Sequence, residues 1–193
     1  SLARQPHLLD LVLERAPAAL MLSFGDFQPF LPKVRDGQTK LIVQVQTLDQ
    51  ARKAIEAGVD AIVAQGTEAG GHGGARATFP FVPAVVDIAK EIPVIAAGGI
   101  ADGRGLAAAL ALGASGVLCG TRFFASDESL ASDNAKQAAL NGGGDDTERS
   151  SVFDLARGLD WPADWNIRTM RNSFTRRWSE DVGGLRQNIA EEQ

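Results

Sequence analysis

The sequence predicts an α/β fold built on a parallel sheet. Short apolar segments alternate with helical segments along most of the 193 residues, and short connections join them, as in βαβ units with right-handed crossovers. Three of the apolar segments end in glycine-bearing turns. A closed eight-unit barrel takes ~250 residues, so five units and a tail are too few to close one. The predicted strands are residues 19–24, 40–45, 60–64, 93–97 and 116–120.

Capping residues mark the ends of the predicted helices. Thr47-Leu48-Asp49-Gln50 has the spacing of a capping box, and Gly58 ends the helix that it opens. Asp102 caps an Ala/Leu-rich helix that Gly113 stops. Further helices are predicted from Pro6 to Arg15, from Phe81 to Lys90 and from Ser126 to about Leu140.

The composition changes after residue 140. Residues 141–146, Asn-Gly-Gly-Gly-Asp-Asp, predict a flexible acidic linker or loop. All three tryptophans follow Ser151, in a segment with few strand signals that we expect to pack as helices and loops. Its basic stretch, residues 168–177, is interleaved with apolar residues and predicts a helix. We therefore divide the chain into an α/β part, residues 1–140, and a closing helical tail, residues 141–193.

Charge and cysteine content restrict the classes of partner. The net charge is −5 and no cluster of Lys and Arg is long enough to track phosphates, so we expect no nucleic-acid partner. No apolar run approaches the length of a membrane span, and a membrane partner is not expected either. The amino terminus does not resemble a signal peptide. The single cysteine, Cys119, permits no internal disulfide, and a reducing cytoplasm is the expected location.

The stretch most suited to chemistry is residues 64–74, Ala-Gln-Gly-Thr-Glu-Ala-Gly-Gly-His-Gly-Gly, directly after a predicted strand. Glycine loops at the carboxyl ends of parallel strands are where α/β proteins place ligands. The loop contains His72, one of two histidines and a side chain suited to proton transfer near neutral pH. A tight turn with a solvated histidine is the plainer interpretation, but a turn alone needs only one or two glycines.

Three strand ends would form one site if their strands are neighbours. Gln65 and the amides around Gly70 lie at the first, Gly98-Gly99 at the second and Gly120-Thr121 at the third. Glycine-lined strand ends beside a helix amino terminus favour a phosphate, and the Gln65 amide could bond a polar ring edge. A phosphorylated cofactor with a flat head group is indicated, and the pattern alone does not distinguish flavin mononucleotide (FMN) from a sugar phosphate. No cluster of residues has metal-ligand spacing, so no metal is expected.

Three segments together resemble the motifs of the nitronate monooxygenase family, formerly called 2-nitropropane dioxygenases, and the resemblance covers roughly residues 19–180. The family consists of FMN-dependent TIM-barrel enzymes, so the resemblance implies a (β/α)8 barrel of which this chain supplies about the last five βα units. About three earlier units, which provide further flavin contacts, are missing here. The matching segments, in the family's order, are residues 65–72, 93–103 and 116–123.

The resemblance also implies roles for individual residues. His72 corresponds to the histidine that acts as a base or binds the nitronate. A polar residue is common in the family where Leu118 stands, so that contact is expected through the backbone. The residues implied to contact FMN are Gln65, Gly70, Gly71, Gly98, Gly99, Leu118, Cys119, Gly120 and Thr121.

Three functions follow as hypotheses. The first is FMN-dependent oxidation of alkyl nitronates or nitroalkanes by O2 to a carbonyl compound and nitrite. The second is NAD(P)H-dependent reduction of quinones or enoyl thioesters on the same barrel. The third is an inactive half-barrel that acts as an interaction module, because open sheet edges need a partner. The missing strands would come from a second chain or from another copy of this one, or the chain is a carboxyl-terminal fragment of a longer enzyme.

Three further charged residues lie in or near these motifs. Glu68 would either pair with a cofactor hydroxyl or cap its own loop. Arg76 and Arg122 are expected at the surface rather than on phosphate.

Overall fold

The main layer of the molecule is a five-stranded parallel sheet. The computed structural model describes Leu2 and residues 4–192, with side chains up to residue 189. The strand order is β1-β2-β3-β5-β6, and all four pairings are parallel, which confirms the predicted sheet. The strands are β1 Ala19–Leu22, β2 Lys40–Val45, β3 Ala61–Gln65, β5 Val94–Ala97 and β6 Gly116–Leu118.

Helices follow these strands and cover the sheet. The capping box at Thr47 is present, and the Asp102 side chain accepts from the amides of Arg104 and Gly105. A 3₁₀ turn, Gln28–Phe30, precedes the second helix. The helices of this part are α1 His7–Leu13, α2 Leu31–Arg35, α3 Leu48–Glu56, α4 Thr78–Ala89, α5 Gly103–Ala111, α6 Thr121–Phe124 and α7 Asp133–Asn141.

The hydrophobic core lies between the sheet and these helices. Strand β3 is buried along almost its whole length, as expected for a strand covered on both faces. Phe81 on α4 is fully buried against this sheet, and α4 contacts both β3 and β5. The core therefore fixes the carboxyl ends of β3 and β5 relative to each other.

A second, antiparallel sheet has the order β4-β8-β7. Its strands are β4 Gly71–Gly73, β7 Thr147–Ser150 and β8 Asn166–Met170. The prediction that the tail contains only helices and loops is therefore wrong, and so is the single helix predicted over residues 168–177. Residues 166–170 form a strand, and Asn172 then caps a new helix that begins at Ser173.

The tail helices are α8 Val152–Ala156, α9 Ser173–Trp178 and α10 Val182–Glu192. They pack on their own small core of Val152, Trp178 and Leu185. None of the helices in the part of the chain that the structure describes is long and apolar enough to cross a membrane.

Two further segments differ from the predictions by more than a shift of about three residues at one end. The helix expected from Ser126 begins at Asp133, because Ser132 rather than Ser126 provides the amino-terminal cap by accepting from the Ala135 amide. The predicted linker, residues 141–146, contains the end of α7 and a 3₁₀ turn, Gly144–Asp146, that leads directly into β7. Strand β7 then pairs with β8, which in turn pairs with β4 of the glycine loop.

Candidate functional site

The three glycine-bearing strand ends lie side by side, as the sequence predicted for neighbouring strands. The register pairs Gln65 of β3 with Ala97 of β5, and Ala97 with Leu118 of β6. Residues 66, 98 and 119 therefore leave the sheet at one level. Carboxyl ends of adjacent parallel strands are the usual location of ligand sites in this fold class.

Glycine permits the close approach of these strand ends. Gly98 has φ +107°, and a Cβ there would lie 3.0 Å from both the Gly66 oxygen and the Ala69 nitrogen. A Cβ at Gly70 would lie 2.9 Å from Thr121 Oγ1, so the loop after β3 packs directly on the first residue of α6. The predicted cofactor residues therefore lie together at the carboxyl ends of β3, β5 and β6, and we call this edge of the sheet the glycine rim.

The rim is open on its outer side. A Cβ at Gly71 or Gly120 would meet no atom within 4 Å. Leu118 and Cys119 are half-buried. The exposed members of the predicted set are Gly70, Gly71, Gly99, Gly120 and Thr121.

Gln65 lies in a buried network of three side-chain amides. Its Oε1 accepts from Gln44 Nε2 at 3.1 Å and from Gln46 Nε2 at 3.0 Å. Its Nε2 donates to the backbone oxygen of His72 at 3.1 Å. One N–H of Gln65 remains for another acceptor, so the side chain both holds the glycine loop and can bond a ligand.

Arg149 on β7 also binds the loop that follows β3, a role that the sequence did not indicate. Its guanidinium donates to the backbone oxygens of Thr67 at 2.9 Å and Ala69 at 3.0 Å, and to that of Asn166 at 2.7 Å. Burial, together with the nearby Arg168 charge, lowers the pKa of Arg149 to about 10. The planar guanidinium of Arg149 donates to several backbone carbonyls and therefore fixes the conformation of the loop.

His72 lies on β4, and its ring is held on several sides. Nε2 is 2.9 Å from Asp154 Oδ2. The Trp161 ring stacks on the imidazole with centroids 3.7 Å apart and an angle of 13° between the planes. The Phe24 ring approaches the imidazole edge-on, with the two ring centroids 6.3 Å apart. The plainer interpretation of a solvated turn histidine is wrong, because the side chain is only 16% exposed.

Asp154 is a functional candidate that sequence reasoning missed. It lies on α8, 82 residues after His72, and its side chain is 4% exposed. No local spacing links the two residues, since their contact depends on the pairing of β4 with β8. A cavity of ≈ 390 Å³ lies beside the amide network. Its lining includes Phe24, Gln44, Gln46 and Trp165.

Two carboxylates near the rim act as helix caps. Glu68 accepts from the Thr78 amide at 2.8 Å and from Thr78 Oγ1 at 2.7 Å, so it bonds the first residue of α4 rather than the amides of its own loop. Asp102 accepts from the amides at the start of α5, and the hydrogen bond from Arg104 holds the Asp102 pKa below its usual range. The α5 amide groups expected to attract an anion are therefore already bound by the carboxylate.

A family model describes most of this chain. The model for nitronate monooxygenase matches residues 5–180. The chain belongs to the nitronate monooxygenase family. The matched range includes the glycine rim, His72 and Asp154, so both sheets of the site lie within the family's domain.

Curated relatives of this family member carry more than one name. A "probable nitronate monooxygenase" of Staphylococcus aureus is 38% identical over 165 residues, which are 79% of this chain and 46% of that protein. A Rhodococcus jostii 5-hydroxy-7a-methyl-1-oxo-octahydro-1H-indene-4-carboxyl-CoA dehydrogenase is 40% identical over 149 residues, 77% of this chain and 42% of that protein. The chain thus spans a little under half the length of these relatives.

Solved structures show the same partial coverage. FabK from Thermotoga maritima superposes with a TM-score of 0.83 at 35% identity, covering 95% of this chain and 56% of that one. Nitroalkane oxidase from Streptomyces ansochromogenes gives 0.76 at 29% identity, with 95% and 56% covered. These similarities confirm the predicted fold class, a part of a TIM barrel that contains about five βα units.

Proposed function

We propose that this family member is an FMN-dependent oxidoreductase that oxidises alkyl nitronates or nitroalkanes with O2 to a carbonyl compound and nitrite. The observation that carries the proposal is the position of His72. Its imidazole is held by Asp154 and Trp161 on the loop that packs against the glycine rim. A fixed histidine beside a ligand rim is suited to proton transfer at a bound substrate.

The residues at the rim fit FMN. Gly71 and Gly120 leave space into which a side chain would project, so a ligand can approach their backbone amides closely. Thr121 is exposed and offers a hydroxyl beside Gly120, as a phosphate requires. Gln65 has an N–H left for a ring edge. We therefore assign these residues, with the Gly98-Gly99 turn, to the cofactor.

When bound, FMN would supply the redox chemistry that links the nitronate to dioxygen. The protein's part is proton handling and orientation. With a neutral nitroalkane, His72 removes the α-proton. With a preformed nitronate, a protonated His72 holds the anion.

The test begins with the visible absorption spectrum of the purified protein and its intact mass in the same sample. His72→Ala should retain the flavin spectrum while nitroalkane turnover falls by about 10²-fold or more, the size of a lost general base. His7→Ala, which changes the exposed histidine on α1, is the matched control and should leave turnover unchanged. Loss of flavin from His72→Ala would instead assign the residue a structural role.

A second candidate is an NAD(P)H-dependent reductase of quinones or enoyl thioesters. The 40% identity to a protein named a carboxyl-CoA dehydrogenase favours it, because that protein's name describes a thioester substrate. Anaerobic addition of NAD(P)H distinguishes the two functions. Rapid bleaching of the flavin supports the reductase, and persistence of the oxidised spectrum supports nitronate oxidation.

We also propose a partner for the open sheet. Among the described residues, β1 and β6 each pair with one neighbour only, so each leaves an edge unpaired. Met21 on β1 is 41% exposed. Further barrel strands, from a second chain or a second copy of this one, would cover these edges. Intact mass and light scattering of the purified protein test this, and a strictly monomeric sample without a second polypeptide contradicts it.

A further inference from the structure

The His72–Asp154 pair identifies which imidazole nitrogen is available for chemistry. Asp154 Oδ2 faces Nε2 at 2.9 Å, and Trp161 stacks on the ring face, so the ring can neither flip nor tilt without breaking a contact. Among the described residues no protein group hydrogen-bonds the other nitrogen, Nδ1. Nδ1 is therefore the nitrogen that a substrate can reach.

An ionised carboxylate only accepts hydrogen bonds, and a neutral imidazole carries one N–H. Asp154 therefore requires the proton on Nε2 and leaves the lone pair on Nδ1. A carboxylate in this position also stabilises the imidazolium that forms when Nδ1 takes a proton. The pair has the arrangement of a base and the group that orients it.

Asp154 has no other role in the described structure. Its side chain is 4% exposed, and its Oδ1 is buried without a hydrogen-bond partner. A carboxylate used only to pin α8 would be expected to bond backbone amides or hydroxyls with both oxygens. Here the single hydrogen bond of a buried charged group is directed at the imidazole.

We propose that Asp154 is a positioning residue that holds His72 as the Nε2–H tautomer, so that Nδ1 exchanges the substrate proton. This inference rests on the proposed function of His72 in proton transfer. It also gives the tail a direct part in the site, because α8 delivers the carboxylate to a loop 82 residues earlier in the chain.

The tautomer can be measured without any assay of activity. The chain has two histidines, so ¹⁵N-histidine NMR gives two imidazole spin systems, and His7→Gln assigns them. In the unmodified protein, the neutral imidazole of His72 should be protonated on Nε2 and unprotonated on Nδ1. A neutral His72 protonated on Nδ1, or a rapidly exchanging mixture, would overturn the proposal, and this measurement needs no variant to fold.

Asp154→Asn then tests the consequence. The amide can donate to Nε2 and so favour the opposite tautomer, with kcat for a nitroalkane falling by about 10²–10⁴-fold while KM changes by less than about 3-fold. Asp160→Asn, an exposed carboxylate on the same tail segment, is the matched control and should change neither quantity. Near-UV circular dichroism shows whether the Trp161 environment is retained.

The outcomes separate the two proposals. A correct tautomer in a protein that oxidises no nitronate would leave the Asp154 role standing and overturn the proposed function. Loss of turnover in Asp154→Asn with an unchanged tautomer would overturn the positioning role. A third outcome is that Asp154→Asn loses both the near-UV signal and the Nε2–H tautomer, and that Asp154→Glu restores neither. Asp154 would then contribute to packing alone, and the positioning role would be overturned as well.

Discussion

The two sheets hold the candidate site by different physical means. The parallel sheet fixes its strand ends through apolar burial and close packing, with Ile62 and Phe81 fully buried and Gly98 against the loop backbone. The antiparallel sheet and the adjoining helix α8 fix the same loop through polar side chains. Arg149 binds backbone carbonyls, and Asp154 binds His72.

The difference shows how rigidity and chemistry are divided in this molecule. Apolar packing is non-directional and places the glycine rim as a whole. Charge-assisted hydrogen bonds are directional, and they fix the orientation of the loop carbonyls and of one imidazole ring. Removing a group from each sheet should therefore give separable effects, one on the rim and one on the loop.

Removing Arg149 should have the largest effect. Arg149→Ala leaves the oxygens of Thr67, Ala69 and Asn166 without their donor, and we expect about 3 kcal/mol of lost stability, since a bond to a charged group contributes roughly 1.5–3 kcal/mol and such losses are not additive. Urea unfolding followed by tryptophan fluorescence measures this, because all three tryptophans lie in the tail.

Two variants sharpen that result. Arg149→Lys keeps the charge but not the planar fork, so it should recover only part of the stability. Arg171→Ala removes a half-exposed arginine on the same sheet's margin, 3.9 Å from Glu148, and should cost less than about 0.5 kcal/mol. Equal losses for the alanine variants at 149 and 171 would contradict the role of Arg149 as the clamp of the loop.

A pair of glycine substitutions tests the rim of the parallel sheet. Gly98→Ala introduces a Cβ at φ +107° within 3.0 Å of two backbone atoms, and we expect a loss of about 2 kcal/mol from strain and displacement of the loop. Gly120→Ala places its Cβ in open space and should change stability by less than about 0.5 kcal/mol.

The same pair separates folding from ligand binding. Since Gly120 is assigned to the cofactor, its alanine variant should bind added FMN more weakly than the unmodified protein although it folds as well. Fluorescence titration with FMN measures the affinity. Unchanged FMN affinity in Gly120→Ala would remove that residue from the proposed site.

The sequence was sufficient for the parallel sheet because its signals are local. Apolar runs such as 40–45, the capping box at Thr47 and the glycines after three of the strands are all readable within a few residues. The rim followed from the same signals, because adjacent parallel strands end at one edge. The sequence singled out His72 because its loop has more glycines than a turn needs, and the role of His72 stays a prediction.

The antiparallel sheet was not predictable by these means. Strand β8 is intermediate in burial throughout, so it lacks the alternation that marks a half-buried strand. Arg149 and Asp154 act on partners about 80 residues away, and nothing near either residue in the sequence indicates its partner. The one basic residue of β8, Arg168, was assigned to a helix, whereas it lies on a strand and donates to the Thr67 backbone oxygen.

The smallest expected effect comes from an ion pair at the opposite end of the parallel sheet. Asp60 accepts from Lys40 Nζ at 2.9 Å and from the Leu41 amide at 2.8 Å, and the bond from Lys40 is the main cause of a lowered Asp60 pKa. A carboxyl group whose pKa is lower in the folded state adds stability above its unfolded pKa of about 3.9, and that stability is lost as the pH falls through the folded pKa.

Both side chains of this pair are more than a third exposed, so solvent screens the interaction, and Asp60→Asn should cost only about 0.5 kcal/mol at pH 7. The difference between the variant and the unmodified protein should shrink as the pH falls from about 4 to about 2, as measured by thermal unfolding across that range. Asp36→Asn, a carboxylate without a side-chain partner among the described residues, serves as the control. A difference that stays constant down to pH 2 would mean that the carboxyl geometry at the β2–β3 pairing, rather than its charge, is what stabilises this end of the sheet.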